Sequence, residues 1–157
     1  MTQLSDLYNT RIMELAAAIP RTTRLTHSPN GPKLATATAH SKLCGSTITV
    51  DLVLTDGRIA DFGQNVRACL LGQAAASVVG REIVGTTPEE FAAVAAAMRA
   101  MLRDGSAPPR GKWADLAVLA PVRAVKARHA STLLVFEGVE KALARLVTVP
   151  EPEAVVP

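Results

Sequence analysis

Cys44 and Cys69 are the only two cysteines of the 157-residue chain, and the residues around each suit a reactive or metal-binding thiol. Cys44 lies in Leu43-Cys44-Gly45-Ser46, a polar turn that opens an alternating strand. Cys69 follows the next strand and opens an alanine-rich helix, so its sulfur is expected to face the unpaired N–H groups of the first turn. That position favours an anion and lowers a thiol pKa. The stretch between the two cysteines reads as a hairpin whose open ends meet, bringing both sulfurs to one end of a sheet. A soft metal or a cluster asks for thiolates that converge in this way, with imidazole or carboxylate completing the set. A cysteine taken singly is equally at home as a small buried apolar residue, and it is the shared placement that argues for a site.

The elements that must position these thiols follow from periodicity. Ser5 is a candidate cap for a first helix with Leu7, Ile12, Leu15 and Ile19 on its apolar face, stopped by Pro20. Residues 21–33 form a loop, broken by Ser28-Pro29-Asn30-Gly31-Pro32. Ala35, Ala37 and Ala39 alternate with Thr36, Thr38 and His40, a strand with a small-residue face. Ile48, Val50, Leu52 and Leu54 alternate along a second strand, Asp56-Gly57 is a hairpin turn, and a third strand runs over 59–66. The pattern then turns helical. A small-residue helix spans 70–84, and Thr87-Pro88-Glu89-Glu90 starts another with cap, proline and acids in the right order. That helix carries Phe91, Val94, Met98, Met101 and Leu102 on one side. Residues 104–111 form a loop, and 121–146 predict the longest helix of the chain. The expected fold class is α+β, a three-stranded antiparallel sheet packed against helices, in one domain over 1–146 with a flexible proline-rich tail at 147–157.

Composition bounds the function. Apolar residues make up 48% of the chain but aromatics only 3%, which reads as small close-packed helices with a true core. Seventeen Lys and Arg against fourteen Asp and Glu leave a formal +3, spread along the chain. With no RNA motif and no aromatic stacking platform, nucleic-acid binding is not expected. A docking patch for an acidic partner protein is a better use of that charge. The start of the chain has no basic, apolar secretory pattern, and its apolar stretches fall short of a membrane span, so a cytoplasmic protein with reduced thiols is expected. A Cys44–Cys69 disulfide is the alternative that this compartment disfavours. No nucleophile elbow, P-loop or dinucleotide fingerprint is present, which points away from an enzyme.

Cys44-Gly45, the strand pair with its Asp-Gly turn, Cys69 at the head of a small-residue helix ending in Val84-Gly85, and Lys126-Ala127-Arg128-His129 before a Leu-rich helix together resemble the NifU/IscU-type iron–sulfur cluster scaffolds, of SufE/NifU-like fold. The resemblance runs from Leu7-Tyr8-Asn9 through the final helix. It implies a protein that receives sulfur from a cysteine desulfurase, assembles a [2Fe–2S] cluster and passes it to apo-protein acceptors; some such scaffolds bind zinc at the same site. The chain departs from the family in two places. Ser46 replaces the aspartate of the family's Cys-Gly-Asp, and the family's third cysteine falls on Ala130, or on Ser131 with a shift of one. His129 occupies a position that is histidine in one branch. The resemblance therefore implies Cys44, Cys69 and His129 as ligands of iron, a cluster or zinc, with Ser46 nearby. Leu119-Ala120-Pro121-Val122-Arg123 is similar to the Leu-Pro-Pro-Val-Lys chaperone-recognition segment of one branch, at a different distance from the histidine.

Other residues have plainer readings. His40 is a possible fourth ligand, but the alternation puts it on the polar face. His27 sits in a loop without an evident partner. Arg67, Lys126 and Arg128 either raise the local positive potential and favour thiolates, or are ordinary surface charges. Three functions follow: a cluster scaffold or carrier; a SufE-like sulfur acceptor with a persulfide on Cys44; and a zinc-binding interaction module that has lost cluster chemistry.

Overall fold

A computed structural model describes residues 9–27 and 31–148, with side chains through 146. The expected cap Ser5 and the tail beyond 148 lie outside the described residues. The first described helix, α1 (Thr10–Ala17), is capped by Asn9, whose side chain accepts from the Ile12 N–H at 2.9 Å. Ile12 and Leu15 are buried, as their spacing requires.

Three strands follow: β1 (Leu34–His40), β2 (Thr47–Thr55) and β3 (Arg58–Arg67). They pair antiparallel in the order β1-β2-β3. The β2–β3 turn places Asp56 at φ 53° and Gly57 at φ 76°, the left-handed pair that an Asp-Gly hairpin requires. One face of the sheet presents Ala35, Ala37, Ala39, Ile48, Val50, Leu52 and Phe62 to the core, all nearly or fully buried. The small side chains of β1 let the last helix approach closely, so that a Cβ placed on Gly138 meets Val50 and Ala39 in ordinary contact. The opposite face carries Thr36, Thr38, Thr49 and Asp51, and residues 21–25 cross it. Gln64 N–H donates to the Arg21 carbonyl, and Gly63 leaves room for Thr23, whose carbonyl oxygen would stand 2.5 Å from a Cβ there.

The helices α2 (Leu70–Glu82) and α3 (Pro88–Asp104) form much as their patterns predict. Thr87 caps α3 by accepting from the Glu90 N–H, Pro88 stands at its start, and Gly105 ends it at φ 73°. Phe91, Val94, Met98, Met101 and Leu102 are all buried.

The single helix expected over 121–146 does not form. A 3-10 run occupies Gly111–Ala124, another turn spans Lys126–Arg128, a short α4 covers His129–Thr132, and α5 (Leu134–Thr148) completes the described fold. Two features of the sequence explain this. Pro121 bars an α-helix running through 111–124, because it lacks the N–H that helix would use and clashes with the turn before it. The buried residues around it, Trp113, Leu116, Leu119 and Val122, recur every third position, which a three-residue turn stacks on one side and a 3.6-residue turn would spread apart. The consequence for the site is direct: α4 is a separate short element, free to lean on the N-terminal end of α2.

Candidate sulfur and metal site

The paired register puts Thr47 opposite Arg67, so Cys44 lies three residues ahead of one strand and Cys69 two residues beyond its neighbour. The expected meeting of the two cysteines at one sheet end is what the topology builds. Both thiols are free, Cys44 exposed and Cys69 partly buried.

The loop carrying Cys44 is closed by backbone hydrogen bonds. Ser41 N–H donates to the Ser46 carbonyl and Gly45 N–H to the Ser41 carbonyl, each at 2.9 Å. Gly45 takes φ 73°, where a side chain would be strained. This geometry wraps two hydroxyls around one sulfur: Ser46 Oγ stands 2.9 Å from Cys44 Sγ, and Ser41 Oγ 3.4 Å from it. Both serines are buried while the cysteine between them is not. The hydroxyls lower the thiol pKa from an ordinary 9.0 to about 7. Ser41 contributes most and Ser46 next; burial opposes them; the Ser46 backbone N–H and the Ser131 hydroxyl add to the effect. No cation is among the causes, so the help expected from Arg67, Lys126 and Arg128 is supplied instead by neutral donors.

Cys69 is held differently. It occupies the N-cap position of α2 but makes no side-chain cap hydrogen bond, so its sulfur does not face the helix N–H groups as expected. It turns instead to Ser131, whose Oγ lies 3.4 Å away. That contact depends on Gly72: a Cβ there would stand 2.9 Å from the Ser131 carbonyl oxygen and force α4 outward. Ser131 Oγ also donates to the Arg128 carbonyl at 3.2 Å, which fixes the hydroxyl in place. Ser131 Oγ thus stands against Cys69 and is the last and smallest of the influences on Cys44, so the two thiols share one neighbourhood. Of the two positions the family comparison left open for a third cysteine, Ser131 and not Ala130 is the one that faces the pair.

His129 is oriented by the 3-10 run. Its Nε2 lies 3.0 Å from the Val122 carbonyl and 3.1 Å from that of Arg123, so Nε2–H donates to both, and in the neutral ring Nδ1 is the nitrogen with the lone pair. A metal-bound histidine is commonly anchored in this way. Nonetheless, among the described residues no group of three or more His, Cys, Asp or Glu side chains converges on a point a metal ion could take. His40 is exposed, and its Nδ1 is 3.0 Å from Thr47 Oγ1, on the polar face as its alternation requires. Lys126 and Arg128 sit on the second 3-10 turn, beside α4. The residue that sequence reasoning missed is Ser41. Its only signal was a hydroxyl three positions before Cys44 in a polar turn.

The arrangement offers two thiols, one poised to ionise near neutrality, surrounded by hydroxyls and open to a partner. Nucleophilic attack on a sulfane sulfur or ligation of a soft metal both use such thiolates. Among the described residues, no helix is long and apolar enough to cross a membrane.

No protein-family model matches the sequence, and no curated protein matches it. Solved structures do. The NifU-like protein (N-terminal) from Brucella abortus is 44% identical, with a TM-score of 0.88, over 94% of this chain and 99% of that one. A protein described as a candidate iron–sulfur cluster assembly scaffold for the SUF system of Fervidobacterium islandicum AW-1 shares the fold at 18% identity and a TM-score of 0.76, over 90% of this chain and 99% of that one. A hypothetical protein does so at 19% identity and the same TM-score, over 90% and 100% of the two chains. The α+β fold with its three-stranded sheet is thus shared throughout, and the extent and identity of the Brucella match show that the chain belongs to the NifU-like (N-terminal) family.

Proposed function

We propose that this protein is a scaffold in iron–sulfur cluster assembly, with Cys44 and Cys69 as the thiolates that take sulfur and hold iron as cargo. The observation that carries the reading is the pair of free thiols at the open end of the hairpin, with Ser131 against Cys69, in a chain of the NifU-like family. A scaffold must accept and then release its cargo. Two thiolates with neutral hydroxyls for neighbours suit that task, because a serine hydroxyl is a weaker ligand than a carboxylate or a third thiolate. Ser46 and Ser131 stand where further donors are needed, and His129 joins through Nδ1 if α4 moves toward the pair. A cysteine desulfurase supplies the sulfur in this reading, and apo-proteins receive the cluster.

Cys44 also supports a second reading, a SufE-like acceptor that carries a persulfide. Its exposure favours it as the nucleophile over the partly buried Cys69, and its pKa of about 7 leaves much of it as thiolate at neutral pH. A zinc-binding module would draw on the same donors.

Anaerobic reconstitution with ferrous iron, cysteine and a cysteine desulfurase separates these readings. The scaffold predicts cluster absorption in the visible range that is lost in Cys44→Ser and in Cys69→Ser, and weakened in His129→Ala. A wild-type protein that forms no cluster overturns the scaffold. If it nevertheless gains persulfide on Cys44, and keeps it in Cys69→Ser, the acceptor reading replaces it. Stoichiometric zinc in the purified protein, not displaced by iron, favours the zinc module.

A further inference from the structure

Among the described residues, six of the twelve arginines pair with a carboxylate distant in sequence. Arg11 and Arg81 share Asp115, Arg21 meets Asp61, Arg24 meets Asp51, Arg58 meets Glu90 and Arg99 meets Glu140. One region gathers several cations outside such pairs. An open pocket of about 740 Å³ is lined by Arg103, Arg123, Lys126 and His129, together with Leu102 and Pro121, and no acidic side chain lines it. Arg103 is paired only with its neighbour Asp104. Arg123 acts on that same carboxylate from a distance, and Lys126 stands in no ion pair among the described residues.

The Arg123 guanidinium lies over Gly105, where a Cβ would stand only 2.9 Å from Cζ, so the absence of a side chain at the end of α3 makes room for it. A guanidinium and an ammonium without a carboxylate in direct contact are ready receptors for carboxylates. The pocket borders the short helix that also serves the thiol site. His129 lines it, and Ser131, two residues along α4, touches Cys69. Across the site, Leu43 next to Cys44 is 77% exposed, one of only two large apolar side chains so exposed among the described residues.

We infer that this pocket is the docking site for an acidic segment of a partner protein that works at the thiols. Carboxylates of the segment pair with Arg123, Lys126 and Arg103, while Leu43 gives the partner an apolar contact beside Cys44. Opposite charge over this patch speeds encounter and orients the partner, and salt weakens it. The inference shares with the proposed function only the premise that a partner comes to Cys44 and Cys69.

Binding of a fluorescein-labelled deca-glutamate peptide to the full chain, followed by fluorescence anisotropy without iron or a sulfur donor, tests it independently of cluster chemistry. The expected result is saturable binding, weakened at least about tenfold by Arg123→Glu with Lys126→Glu and less than about twofold by Arg67→Glu with Arg110→Glu. Both pairs of changes alter net charge equally, and circular dichroism checks that each variant folds. Equal losses in the two double variants would mean that net charge alone attracts the peptide, which overturns the inference. So would displacement of the peptide by inorganic phosphate at the same concentration of charge, which would make the pocket a site for free anions.

Discussion

Two anions are stabilised along one strand of this protein, and they are treated in opposite ways. Asp51, in the middle of β2, is fully buried. Burial is the largest single influence on it and works to raise its pKa. The Arg24 guanidinium, the Thr36 hydroxyl and the Leu25 N–H together outweigh that and hold the carboxyl below its ordinary range. Its partners close around it, with Arg24 Nη2 at 2.9 Å, Thr36 Oγ1 at 2.6 Å and Leu25 N at 3.0 Å. Cys44, just ahead of the same strand, receives hydroxyls but no cation and stays open to solvent. A carboxylate saturated with donors fastens residues 24 and 25 to the sheet. A thiolate favoured but not saturated keeps the capacity to react. The difference separates a carboxylate that fastens the structure from a thiol left open to react.

Breaking either side of this contrast has a distinct signature. The largest effect is expected from Cys44→Ser: loss of most sulfur acceptance by mass spectrometry, the remainder carried by Cys69, with a melting temperature close to wild type because Cys44 is exposed. Asp51→Asn is expected to do the reverse. It leaves Cys44 reactivity in place and costs about 3 kcal/mol of stability in urea titrations, since it strips the charge from a buried, donor-rich position. The pH dependence follows in sign. Because folding depresses the Asp51 pKa, its stabilisation is present above the ordinary carboxylate pKa of about 4 and is lost as pH falls through the folded value. The Asp51→Asn variant lacks that part of the acid limb, so its urea midpoints should fall less steeply below about pH 4.

A smaller effect is expected at Ser46. Ser46→Ala removes one of two close hydroxyls and should slow alkylation of Cys44 at neutral pH by about 3- to 10-fold, because less of the thiol is ionised. The smallest belongs to His40→Ala, within about 0.5 kcal/mol of wild type, as for an exposed residue whose hydrogen bond competes with water. A large loss of metal binding in that variant would contradict the placement of His40 on the polar face.

The sheet and the two thiols at its end were legible in the sequence because strand alternation and an Asp-Gly turn fix register locally, and register fixes where the ends lie. The α2 and α3 boundaries were legible for a similar reason: Thr87, Pro88 and the glycines past the helix ends act within a few residues. The segment over 111–133 was not. Its three-residue apolar spacing, from Trp113 to Val122, was present, but long 3-10 runs are rare enough that a helix was the natural expectation. The error carried into the site. With α4 misplaced inside a long helix, the approach of Ser131 to Cys69 through Gly72 had no local signal, and neither did the turn of His129 toward two backbone carbonyls. Cys69 was assigned to the helix N–H groups by the same local logic, whereas a tertiary contact decided its direction. The role of Ser41 is likewise a property of loop closure, which composition does not encode.

The central claim is that neutral donors, chiefly the Ser41 and Ser46 hydroxyls, make Cys44 the reactive thiol of this site. It is tested most directly by the pH dependence of iodoacetamide alkylation in Cys69→Ser, where Cys44 is the sole cysteine. The account predicts a rate with its inflection at about 7, moving toward 9.0 when Ser41 and Ser46 are both replaced by alanine. An inflection already near 9.0 with both serines in place would contradict it.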